Sequence, residues 1–211
     1  CSVNCANGAV CTSYANCSSG FCSGGQCAAC ASLADCPFGY NCTAGVCTAV
    51  PMPGCAPGGL VASCPCTLSA PAHYGLGTNL TSGENCISFP EGGGGSLLDC
   101  QGHTLTGGGA DRAWSSGVYI NTNLVNVTNC RITGFGKGVF SEYGSYDNVY
   151  DNAFTGDGWG VLLYYGGNNF VGRNNVSLNS NGGIGTGAGS SANTFTGNRV
   201  CLNPVTVDNN I

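Results

Sequence analysis

The stretch VNVTNCRITGFGKGV (Val125–Val139) is followed by DNVYDNAFTGDGWGV (Asp147–Val161) and then by NFVGRNNVSLNSNGGI (Asn169–Ile184). Laid over one another, the three share columns. A glycine followed by valine or isoleucine recurs at Gly117-Val118, Gly138-Val139, Gly160-Val161 and Gly183-Ile184, at steps of 21, 22 and 23 residues. Leu105, Ile132, Phe154, Val176 and Val200 form an apolar column. Two residues earlier stand His103, Cys130, Asn152, Asn174 and Asn198, and three before those Cys100, Val127, Val149, Val171 and Phe195. Apolar and polar residues alternate within short pieces separated by Gly, Asn and Ser, which predicts two strands per repeat; no 3.6-residue helical rhythm is sustained. A ~22-residue coil of this kind is one rung of a parallel β-helix, each rung pairing its backbone with the next at roughly 4.8 Å. Like residues then stack on like, and a stacked asparagine can occupy a left-handed corner while bonding the neighbouring backbone. On this reading His103 belongs to the inward asparagine column.

The repeat array extends over residues 64–211. Before it, VPMPGCAPGG reads as part of a proline- and glycine-rich linker, residues 51–63. Residues 1–50 form a different repeat: Cys11, Cys17, Cys22 and Cys27 match Cys30, Cys36, Cys42 and Cys47, with one residue inserted. A unit of ~18 residues cannot bury a core, so disulfides, each typically ~2–4 kcal/mol, must stabilise it. Three connectivities are open for each unit. Cys55, Cys64, Cys66, Cys86 and Cys100 are further disulfide candidates. Seventeen cysteines are an odd number, leaving at least one free or bonded elsewhere, with Cys1 and Cys201 the candidates. This usage predicts an oxidising compartment and a secreted, extracellular or cell-surface protein, and the start at Cys1 reads as a processed product.

The segments LDCQGHTLTG (Leu98–Gly107), VNVTNCRITGFGKGV and NTFTGNRVCLN (Asn193–Asn203) resemble the pectate-lyase-like right-handed β-helix superfamily, and within it the NosD-type repeats. The N-terminal units resemble EGF-like or Dickkopf-type cysteine-rich repeats in spacing alone. The resemblance implies a mostly β protein: a short right-handed parallel β-helix behind a disulfide-rich module, with little or no α-helix. It says little about function, because that scaffold carries lyases, hydrolases, epimerases, adhesins and structural proteins.

The chemistry those relatives use has no clear counterpart in this chain. The lyases imply calcium held by aspartates beside an arginine or lysine base; Asp147, Asp151 and Asp157 with Arg131, Lys137 or Arg173 are the residues to weigh, and corner positions are their alternative role. The galacturonan hydrolases imply clustered aspartates and a Gly-His-Gly segment, whereas His103 stands in QGHT. A copper site needs clustered His, Cys or Met, and the chain has two histidines, His73 and His103, and the single Met52. We therefore expect no cofactor, no metal and no catalytic constellation. The five bases, Arg112, Arg131, Lys137, Arg173 and Arg199, are scattered in a chain of net charge −5, so nucleic acid is a poor partner. No run of ~18 apolar residues is present to span a membrane.

Outward neighbours of the inward valines define a surface stripe. Tyr119, Phe140 and Leu162, extended by Tyr143 and Tyr164, are candidates for an interface with another subunit, a glycan or the cysteine-rich arm. Glycosylation sequons stand at Asn16, Asn41, Asn79, Asn126 and Asn175, of which Asn126 should point outward between Val125 and Val127. Because the repeat runs to Val207 without an amphipathic cap, the leading expectation is self-association: a subunit of an extracellular filament, sheath or appendage joined through β-helix ends and the arm. The alternative is a carbohydrate-binding or polysaccharide-degrading β-helix.

Overall fold

The structure, a computed structural model, describes residues 22–23, 26–29, 40–49, 55, 59–111 and 113–204. From Leu60 onward the chain winds into a parallel solenoid whose rungs contribute to three sheets. Sheet A is seven-stranded and runs from Leu60–Val61 through His73–Leu76, Leu97–Asp99, Asn126–Thr128, Asn148–Tyr150 and Phe170–Gly172 to Thr194–Thr196. Sheet B, six-stranded, runs from Leu80–Thr81 through Thr104–Thr106, Arg131–Thr133, Ala153–Thr155 and Asn175–Ser177 to Arg199–Cys201. Sheet C, also six-stranded, comprises Cys66–Thr67, Ile87–Phe89, Ser116–Ile120, Lys137–Glu142, Trp159–Tyr164 and Gly182–Thr186. Each complete rung thus has three strands where the periodicity suggested two; sheet C carries the Gly-Val column as a strand of its own. The array begins at Leu60, inside the stretch read as linker.

The registers reproduce the repeat. Val118, Val139, Val161 and Ile184 are successive partners in sheet C, and Leu105, Ile132, Phe154, Val176 and Val200 in sheet B. In sheet A the column is Leu98, Val127, Val149, Val171 and Phe195, so Leu98 holds the place assigned to Cys100. The shift follows from the corner after Leu98, which is two residues longer than the one after Val127. It also removes His103 from the inner column: His103 is half-buried, whereas Cys100 is fully buried and bonded to Cys130. That disulfide links adjacent rungs where the asparagine column would otherwise continue. Cys64–Cys86 and Cys55–Cys66 tie the first turns, and Cys201 is in no disulfide.

Glycine precedes the inward valine because two sheets converge there. A Cβ on Gly160 would come within 2.5 Å of Val176 and 2.7 Å of the Gly183 carbonyl, and one on Gly117 within 2.5 Å of Ile132. Gly160→Ala should therefore cost about 1–3 kcal/mol by overpacking, read as a lower urea midpoint with unchanged m-value.

Asparagine ladders at all three corners replace the single column expected. At the A-to-B corner, Asn152 Oδ1 accepts from Cys130 N (2.9 Å), Asn174 Oδ1 from Asn152 N (3.0 Å), and Asn198 Oδ1 from Asn174 N (3.0 Å). At the B-to-C corner the acceptors are Asp157, Asn179 and Asn203, at 2.8, 2.9 and 2.8 Å from the amides of Phe135, Asp157 and Asn179. At the C-to-A corner they are Asp147, Asn169 and Asn193, at 2.9, 2.8 and 2.9 Å from those of Val125, Asp147 and Asn169. Turning the chain at each corner leaves backbone N–H groups with no strand partner. A buried orphan of that kind costs about 1–3 kcal/mol, and each ladder side chain removes one.

Of the N-terminal module, two antiparallel hairpins are described, pairing Cys22 with Cys27 and Cys42 with Cys47. In the second, Ala44 and Gly45 both have positive φ (51° and 79°), the primed turn that suits strand twist. The remaining cysteines of the module, including Cys1, Cys11, Cys17, Cys30 and Cys36, lie outside the described residues. No described helix is long and apolar enough to cross a membrane.

Candidate functional site

The outward residues of sheet C form the most distinctive surface. From the inward valine onward in Ser116–Ile120, Lys137–Glu142 and Trp159–Tyr164, alternate side chains point in and out, and the register aligns Tyr119 with Phe140 and Leu162, and Glu142 with Tyr164. Together with Trp114, Lys137 and Asn85 they line a groove of about 570 Å³. Trp114, on the loop entering sheet C, is 91% exposed and borders the aromatic face of the groove. The Tyr119 and Phe140 rings lie 5.7 Å apart at a tilt of 38°.

Two charges organise the groove. Tyr119 OH donates to Glu142 Oε2 (2.8 Å); burial first, and then this bond and the Glu142 charge, push the Tyr119 pKa up to about 12, so it stays protonated. Lys137 Nζ donates to Ala113 O (2.6 Å), pinning the loop that carries Trp114. The same ammonium lies 4.6 Å from the Phe140 ring centre and 5.5 Å from that of Trp114, a cation between two π faces. Burial lowers the Lys137 pKa, with the negative charge of Glu142 opposing.

The predicted stripe therefore divides. Tyr119, Phe140, Leu162 and Tyr164 share the groove, while Tyr143 sits at the next corner, stacked on Tyr165 at 5.2 Å with a 9° interplanar angle. Trp159, outward on the same strand as Tyr164, lies over Gly182 and Gly185 of the following rung, covering them intramolecularly. Trp114, Lys137 and Glu142 went unassigned to this surface in the sequence. Glu142 had a legible signal, standing two residues beyond Phe140 on the same strand; Lys137, which strict alternation would place inward with Val139, had none, and neither had Trp114, in an irregular loop.

The aspartates weighed for metal binding separate. Asp147 is fully buried at one end of the strand Asn148–Tyr150 and Asp151 is exposed at the other, so they share no site. Asp151 pairs with Arg173 through both oxygens (2.9 and 2.7 Å), which holds the Asp151 carboxyl below its ordinary range. This pair, with Asp99, Asn129, Arg131 and Asn175, lines a shallow polar hollow of about 560 Å³ at the A-to-B corner. Asp157 is buried in its ladder. Among the described residues no three His, Cys, Asp or Glu side chains gather as a metal site would need.

Of the sequons, Asn175 and Asn79 are exposed, while Asn126 faces outward but is half-buried, accepting from Asn148 Nδ2 (2.8 Å). Asn79 accepts from Thr104 N (2.9 Å) through its side chain. The side chains of Asn16 and Asn41 lie outside the described residues.

No curated protein and no solved structure matches the chain. Residues 71–209 match the family of the right-handed β-helix region, in agreement with the three-sheet parallel winding, and the chain belongs to that family.

Proposed function

We propose that this chain is an extracellular carbohydrate-binding β-helix protein that holds a glycan along the groove of Trp114, Tyr119, Phe140 and Tyr164. The observation that carries this reading is the grouping of a nearly fully exposed tryptophan, three further rings and an ordered carboxylate in one open channel. A sugar ring offers an apolar face of C–H groups and an edge of hydroxyls. Aromatic walls with a few fixed polar groups are complementary to both. The disulfides fit an oxidising compartment, consistent with exposure to glycans outside the cell. Binding is favoured over hydrolysis because Glu142, the carboxylate that stands among the rings, is already engaged by Tyr119.

A glycan array tests this. The intact protein should retain at least one glycan class, and Tyr164→Ala should weaken that binding by roughly ten- to a hundred-fold, the loss of one stacking face. Equal binding by the variant, or no binding by either protein, would count against the groove.

Assembly into a filament or sheath is a second reading. It is favoured by the strand Gly182–Thr186, which pairs on one side only among the described residues, and by Cys201, which is in no disulfide. Higher-order bands on a non-reducing gel and rods in negative stain are its expected outcomes; a monomer in both removes it.

A further inference from the structure

Resting on the glycan reading of the groove, we propose that its occupant is a neutral sugar chain and that Glu142, held by Tyr119, is the residue that selects it. The aromatic groove does not stop at Trp114. A second hollow of about 610 Å³ adjoins it, sharing Asn85 and Trp114 and adding Glu84, Ser88 and Asp111 to the lining. The two together run along the solenoid axis across successive strands of sheet C and have room for an oligosaccharide.

Their described lining carries three carboxylates, Glu84, Asp111 and Glu142, against one ammonium, Lys137. That ammonium is committed, to Ala113 O and to the Phe140 and Trp114 rings. A uronate or sulfated chain entering the channel meets an excess of like charge and no uncommitted cation in the described lining. An amino sugar meets carboxylates, but Lys137 already occupies the cation's place between the rings. Neutral hydroxyls match what remains: they donate to carboxylates in charge-assisted hydrogen bonds, and their rings stack on the aromatic walls. Tyr119 fixes the orientation of Glu142 through one oxygen, and a carboxylate keeps further acceptor sites for a ligand.

The test is a titration of the full chain against neutral oligosaccharides, oligouronates, sulfated oligosaccharides and chitosan oligomers, at low and high salt. The expected result is a preference for a neutral class with little salt dependence, because no ion pair is formed on binding. Glu142→Gln should weaken that binding roughly ten-fold through loss of a charged acceptor. Tyr119→Phe, which removes only the hydroxyl, should relax discrimination among neutral sugars while the unfolding temperature stays near wild type. Glu142→Lys should shift preference toward uronates. Preferential capture of uronates, sulfated or amino sugars by the wild-type protein overturns this inference and leaves the glycan reading standing. Capture of no sugar of any charge overturns both. Unchanged affinity and selectivity in a folded Glu142→Gln variant removes Glu142 from the role.

Discussion

Asp157→Asn is expected to stabilise the protein at pH 8 by on the order of 4 kcal/mol and to change little at pH 4. Asp157 is fully buried in the B-to-C ladder; its Oδ1 accepts from Phe135 N (2.8 Å), while its Oδ2 has no partner. Burial pushes its pKa from 3.8 to about 7, opposed by the bond from Phe135. Below about pH 4 folded and unfolded chains are both protonated and stability is at its full value. Between there and pH 7 the unfolded chain gives up its proton and the folded one keeps it, so stability falls as pH rises, and the loss is complete above the folded pKa. Asparagine carries no charge to bury. It also presents an N–H group where Oδ2 stands, as Asn152 and Asn174 do when they donate to the carbonyls of Val127 and Val149. Urea midpoints from pH 4 to pH 9 should decline about twice as much for wild type as for the variant, in which Asp147 still titrates with the same sign. Parallel curves would show that Asp157 ionises freely. Asp147, also raised to about 7 by burial, has Ser141 Oγ donating to its Oδ2 (2.8 Å), so Asp147→Asn should gain less.

Asn174→Ala should cost about 3–5 kcal/mol, lowering the unfolding temperature by roughly 10 °C. Asn174 is the middle of its ladder. Its Oδ1 accepts from both N (3.0 Å) and Nδ2 (3.1 Å) of Asn152, and its Nδ2 donates to Val149 O (2.8 Å) and Asn198 Oδ1 (3.0 Å). Alanine leaves buried donors and an acceptor without partners and opens a small void. Asn175→Ala, one residue on and exposed, should fall within about ±0.5 kcal/mol and serves as the control. Similar losses from the two variants in a urea titration would mean that the ladders are ornament rather than support.

The winding was legible in the sequence because inward residues repeat in kind. Val139 over Val161 and Phe154 over Val176 are columns that survive substitution, since any apolar residue of suitable size fills them. The asparagine ladders were legible only where the residue type repeated without change. Asn152, Asn174 and Asn198 announce themselves, but Asp157 heads one ladder and Asp147 another, and each aspartate hid the column beneath it. Ser141 is a second consequence of the same exception: it stands among Phe89, Ile120 and Leu163 on the inner face, and it is polar because Asp147 needs its hydroxyl. His103 was misplaced for a different reason. Two extra residues at one corner moved Cys100 out of the sheet A column to the corner position beside Cys130 and His103 toward solvent, and a length change in a loop leaves no mark on strand periodicity. The groove was half legible. Tyr119, Phe140, Leu162 and Tyr164 follow from alternation, whereas Trp114 reaches them through an irregular loop held by Lys137, a contact that no local pattern encodes.

The most direct test of the account is acrylamide quenching of tryptophan emission with and without a saturating glycan. Trp114 is 91% exposed, whereas Trp159 is half-buried against Gly182, and these are the two tryptophans of the chain. A sugar seated in the groove should cover Trp114, shift the emission to shorter wavelength and sharply reduce the quenchable fraction. Glycan binding that leaves the quenching unaltered would place the ligand elsewhere and contradict the assignment.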